Sequence, residues 1–147
     1  MPNGICYIPF WRAGGWKDIT YRTQLYLAPL SQEPVRLGVF FFENGGKAWA
    51  GRSFDIEIDQ IVERITTNRD GMLDIQVGPN QTVRIEINVL EHEYGNGEVH
   101  LLSGANPVPL LARGEVEAFA AEASGFEMSI CEVSITAGRP EILEPGR

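Results

Sequence analysis

Residues 82–89 alternate in character, with Val83, Ile85, Ile87 and Val89 apolar and Arg84, Glu86 and Asn88 polar between them. Successive side chains of a strand point to opposite faces, so this rhythm predicts a half-buried antiparallel strand with one face on a core. The same period recurs along most of the chain. Tyr21, Thr23, Leu25 and Leu27 alternate with Arg22, Gln24 and Tyr26 in a strand that ends at Pro29. Val35, Leu37, Val39 and Phe41 repeat the pattern and run into Asn44, Gly45 and Gly46, a turn of the hairpin kind, and these two strands are expected to pair. Phe54, Ile56 and Ile58 form another strand, and so do Leu73, Ile75 and Val77, which residues 78–81 turn back into the first.

Elsewhere the rhythm breaks. A short strand over residues 5–10 leads into Trp11, Arg12, Ala13, Gly14, Gly15 and Trp16, read as an exposed loop hinged on glycine. Ile61, Val62 and Ile65 shift to helical spacing for about one turn. Val99 and Leu101 predict a short strand, residues 108–113 another, and the Ala- and Glu-rich residues 115–123 a brief helix or loop. Met128 and Ile130 have one parity and Cys131, Val133 and Ile135 the other, which a β-bulge near Ile130 and Cys131 reconciles. The resulting expectation is an all-β fold, an antiparallel two-sheet β-sandwich with one short helix. It forms a single domain over residues 1–137, and residues 138–147 are a loose tail.

Val39, Phe40, Phe41 and Phe42 are apolar on both faces of their strand. A half-buried strand in a monomer does not need this. Phe40 and Phe42 are therefore assigned to a subunit interface, the alternative being a second internal layer.

The 16 glycines and nine prolines among 147 residues suit many tight connections. A net charge of -8 offers phosphate backbones and anionic lipid no general attraction, which excludes nucleic acid as the expected partner. No apolar run approaches bilayer length, so no membrane insertion is expected. The N-terminus lacks signal-peptide character and reads as cytoplasmic, although an exported chain given a new initiator Met would start the same way. Cys6 and Cys131 have no metal-finger spacing; they are read as two reduced core thiols, pairing being open if the first and last strands are neighbours.

Candidate chemistry is sparse. Asp55, Glu57 and Asp59 share a face and can in principle gather a hard cation, but a straight strand spaces them poorly, and a solvated face is the preferred reading. His92 and His100, with Glu91, Glu93, Tyr94 and Glu98, are the one concentration of imidazole and carboxylate; Gly95, Asn96 and Gly97 between them read as a hairpin turn, and surface histidines are preferred over a metal or acid–base site. Ser103, Ser124 and Ser129 lack a nucleophile turn, and neither cysteine has a catalytic signature. No catalytic residue, cofactor or metal is expected. Trp11 and Trp16 carry more weight. With Arg12, Lys17 and Tyr21 they combine ring area with charge, and these five are the expected ligand- or partner-binding residues. The competing reading folds the tryptophans back as an edge plug.

Three blocks carry a family likeness. One is Thr23, Gln24, Leu25, Tyr26 and Leu27 followed by residues 33–41; another is residues 75–85, a strand, a proline turn and a strand. The third comprises residues 97–103, residues 107–113 and the closing strand to Ile135. In this order of elements the chain resembles the soluble sensory rhodopsin transducer family. The resemblance implies a β-sandwich that forms a homo-oligomer, often a tetramer, and binds a partner protein without doing chemistry. Residues 49–71 look like an insertion and Pro29 stands where the family pattern has Asn, so the resemblance extends to fold and binding role but not to a photoreceptor partner. The functional expectation is a non-enzymatic binding and assembly module, with signalling as its setting. A carbohydrate-binding, lectin-like domain and a structural coat-type protein are the alternatives.

Overall fold

The computed structural model describes residues 5–87, 89–102, 110–122, 125–133 and 136–138, with side chains described for residues 6–87, 89–102 and 110–119. They form β1 (Ile5–Trp16), β2 (Ile19–Pro29), β3 (Val35–Glu43), β4 (Ser53–Ile58), β5 (Ile61–Thr66), β6 (Met72–Val77), β7 (Val83–Ile87), β8 (Glu93–Leu101), β9 (Leu110–Glu122), β10 (Gly125–Val133) and β11 (Thr136–Gly138). None of the described residues is helical, and no helix there is long and apolar enough to cross a membrane.

The strands pair antiparallel in the order β5-β4-β7-β2-β1-β8-β3-β6, while β9 runs along β2 and carries β10, and β11 adds to β1. The sheet is nearly closed into a barrel. Its two ends leave a cleft of about 390 Å³ in which Ile56, Ile58, Ile61 and Ile65 of the β4–β5 hairpin face Ile75 of β6.

Period-two patterning places the core as expected. Val83, Ile85 and Ile87 are buried, Val89 packs against them half-buried, and Arg84 and Glu86 lie on the opposite face. Ile85 stands in register between Leu25 of β2 and Ile56 of β4, both also buried. The polar face is tied together by charge. Arg84 donates to Glu57 at 2.6 Å and to Glu86 at 3.1 Å, and Asp55 accepts from Arg64 at 3.1 Å. Burial works to raise the Glu117 carboxyl pKa, but hydrogen bonds from Arg22 and Gln24 and the Arg22 charge outweigh it and hold that pKa below the ordinary value.

Several expectations need correction. β2 and β3 do not pair: β2 meets β1, β7 and β9, whereas β3 meets β6 and β8, because the 30–34 connector crosses between ladders and is not a tight hairpin turn. Ile61, Val62 and Ile65 belong to strand β5 and not to a helical turn. Asp59 and Gln60 both adopt positive φ, 52° and 66°, the geometry of a two-residue hairpin, and β5 is an edge strand with Ile61 65% exposed. Residues 115–122 are likewise part of β9, whose Glu117 is drawn against Arg22 across the ladder. The bulge expected at Ile130 and Cys131 is absent, since β10 pairs with β9 in unbroken register through both residues. A bulge occurs instead in β1, where Pro9 and Phe10 together oppose Asn96.

Residues 49–71 contribute Trp49, Phe54 and Ile56 to the core. Cys6 is a free, buried thiol, and burial raises its pKa. The Cys131 side chain, Ser103, Ser124 and residues 139–147 lie outside the described residues.

Ile85→Ala is expected to destabilise the protein by about 2 to 5 kcal/mol through lost transfer energy and the cavity left behind. Denaturant titration checks this, and a loss under about 1 kcal/mol contradicts the core assignment.

Candidate functional site: rings around Arg12

The bulge sets the site. Before it, Cys6 and Ile8 point inward; after it, Trp11 and Ala13 do, so Arg12 is delivered to the outer face. Trp11 is therefore not an exposed binding residue. It is 0% exposed, stacks on Trp49 with ring centroids 4.1 Å apart, and donates its indole N–H to the Asn96 carbonyl at 2.8 Å.

Arg12 is fixed at its backbone first. The buried Thr23 hydroxyl donates to the Arg12 carbonyl at 2.7 Å and accepts from the Arg12 amide at 2.9 Å. The guanidinium then lies over Tyr21, 3.7 Å from the ring centroid, with Trp16 at 5.6 Å. Its Nε donates to His92 Nε2 at 2.7 Å. An imidazole nitrogen that accepts must be unprotonated, so the Nδ1–H tautomer of neutral His92 fits this bond.

Glycine lets the two halves meet. Gly14, at φ +90°, lies so close to the Glu91 carbonyl that a Cβ there would overlap it, and the Gly15 amide donates to Leu90 O at 3.0 Å. These contacts hold residues 90–92 beside the end of β1, which sets His92 between Trp16 and Tyr21, each 5.7 Å away, and Tyr94 at 5.6 Å. Phe10, Arg12, Trp16, His92 and Tyr94 line an open pocket of about 430 Å³. Trp16 is 49%, Tyr94 41% and Phe10 36% exposed. Lys17 reaches over Trp16 at 4.8 Å from the two-residue turn between β1 and β2.

Of the five residues expected from sequence, the fold thus brings together Arg12, Trp16, Lys17 and Tyr21 and withdraws Trp11. Phe10, His92 and Tyr94 are additions. His92 and Tyr94 stood out in the sequence only as part of an imidazole and carboxylate cluster, and the structure divides that cluster: His92 joins the rings, whereas His100 contacts Glu98 at 2.8 Å and lies 4.7 Å from Phe40. Among the described residues no three His, Cys, Asp or Glu side chains converge as metal ligands. Asp55 and Glu57 each face an arginine, and Asp59 sits in a turn.

Phe40 and Phe42 are half-buried on the outer face of β3 and lie 6.5 Å apart, nearly parallel, while Val39 and Phe41 point into the core. In register, Phe40 stands beside Glu98 and Met72, and Phe42 beside Asn96. The same outer face, followed across β8 to β1, reaches Tyr94 and Arg12.

Burial, and then the Arg12 charge, lower the His92 pKa from its ordinary value of 6.5. The unfolded chain therefore binds the extra proton first, so this residue contributes stability above pH 6.5 that is lost as pH falls towards the lowered value. NMR titration is expected to give a His92 midpoint below 6.5 that moves upward in Arg12→Gln; a midpoint at or above 6.5 in the unaltered protein contradicts the contact. No family model, curated protein or solved structure matches the chain.

Proposed function

We propose that this is a cytoplasmic, non-enzymatic binding and assembly module, sandwich-like in its packing, that forms a homo-oligomer and engages a partner protein, as in the sensory rhodopsin transducer family it resembles. The observation that carries the reading is the exposure of Trp16, Tyr94 and Phe10 around a fixed arginine. Large rings left in water beside a planar cation favour association, because docking releases their hydration and the guanidinium supplies direction. Phe40 and Phe42 support the self-association half, since they add ring area to the outer face of the same β1-β8-β3-β6 ladder. A carbohydrate-binding role is the second reading, favoured by the open rings of Trp16 and Tyr94.

Light scattering at micromolar concentration is expected to find an oligomer, and the Phe40→Ser, Phe42→Ser double variant is expected to shift it towards monomer with its β-type circular dichroism intact. A monomeric unaltered protein overturns the assembly half. Peptide and glycan arrays probed in parallel are expected to show peptide binding that Trp16→Ala with Tyr94→Ala weakens; binding confined to glycans moves the assignment to the second reading.

A further inference from the structure

We infer that the Arg12 pocket takes the C-terminal carboxylate of a peptide, seated beside an apolar residue of the same peptide. The inference rests on the binding-module reading above and names the chemistry of its ligand. Among the described residues, the strand-borne arginines Arg22, Arg36, Arg64, Arg84 and Arg113 each meet a carboxylate of this chain, and Arg12 does not. In a chain with 20 acidic residues against 12 basic ones, an arginine without an acid is not explained by a shortage of acids. Arg12 is also not loose. Its backbone is held by Thr23, its plane lies over Tyr21, and its Nε is spent on His92, which leaves the Nη1 and Nη2 edge without a protein acceptor at the pocket. A guanidinium held in this way presents two parallel N–H groups in the geometry that a carboxylate accepts in bidentate fashion.

The surroundings narrow the class. Among the described residues that line or cover the pocket, Lys17 alone joins Arg12 as a cation, and Asp18 and Glu91 flank it in sequence, so a monoanion fits better than a doubly charged phosphate. The lining is mostly ring surface. A sugar needs partners for several hydroxyls, whereas an apolar side chain next to a carboxylate matches the ring faces of Phe10, Trp16 and Tyr94.

The test titrates the isotope-labelled full chain with three probes: acetyl-Leu-Phe with a free C-terminal carboxylate, the same dipeptide as its C-terminal amide, and sodium glucuronate. Readouts are the Trp16 indole and His92 imidazole signals. The free acid is expected to shift both saturably and to bind about tenfold or more tightly than the amide, a preference that Arg12→Gln removes and Arg12→Lys only reduces. Equal binding of acid and amide, lost on Trp16→Ala, overturns the carboxylate inference while leaving the binding module standing. No saturable shift from any probe overturns the inference, and the arrays then decide the module reading separately. Glucuronate binding as tightly as the acid peptide overturns the peptide class. Should Arg12→Gln fail to fold, Arg12→Lys and the acid–amide comparison on the unaltered protein still decide.

Discussion

One extra residue in β1 sets the parity on which both the core and the site depend. The strand pairs with β11 over Ile5–Tyr7 and with β8 up to Ala13 on both sides of the bulge, and from Gly14 it pairs with β2. The bulge at Pro9 and Phe10 lies within the β8 ladder, and proline suits it because a residue without an N–H removes nothing from a ladder already interrupted there. The shift in parity is the consequence. In unbroken alternation Trp11 would face outward with its large ring in water, and Arg12 would point into a core made of Trp49, Phe41 and Phe54. Burying an unpaired guanidinium there costs far more than the pairing lost at the bulge.

The core that follows is aromatic at one end and aliphatic elsewhere. Trp49 comes from the connection between β3 and β4, yet it is buried, because its indole N–H donates to Glu93 at 2.7 Å and its carbonyl accepts from Thr67 at 2.8 Å. Glu93 also accepts from Arg52 at 3.1 Å, so the charge brought to the edge of the core has an opposite charge beside it. Among the described residues, no buried side-chain nitrogen or oxygen lacks a partner. That completeness is what allows a connecting segment to act as core, since an unsatisfied polar group costs more than a typical hydrogen bond contributes.

Where one face met the core and the other met water, as in Val83, Ile85 and Ile87, periodicity revealed the strand and its burial together. It failed where that condition failed. β5 is an edge strand whose cleft-facing positions, Ile61, Glu63 and Ile65, are interrupted by a charge, while Val62 lies in solvent on the other face, so its apolar residues imitate a helical turn. β9 holds a buried glutamate whose partner, Arg22, lies 95 positions away, and a local window sees only an Ala- and Glu-rich run. Half of the site was legible because Arg12, Trp16, Lys17 and Tyr21 are close in sequence. His92 and Tyr94 were not, because only the β1–β8 ladder and the close approach of Gly14 to Glu91 bring them near. The clues available were the parity change between Ile8 and Trp11 and the proline inside it.

The identity of the Arg12 partner separates this arginine from its neighbours in kind. Arg84 between Glu57 and Glu86, or Arg22 on Glu117, has its charge balanced within the sheet, and such pairs bind the polar face together while presenting little net charge outward. An imidazole does something different: as a neutral acceptor it fixes the direction of the guanidinium without cancelling its charge. The arrangement also sustains itself, since burial and the adjacent cation both disfavour the protonated imidazole that would break the bond. A carboxylate at position 92 would hold Arg12 more tightly but would neutralise it. With histidine there, the sheet keeps an oriented and uncompensated positive charge at the mouth of a ring-lined pocket, in a chain whose overall charge is strongly negative.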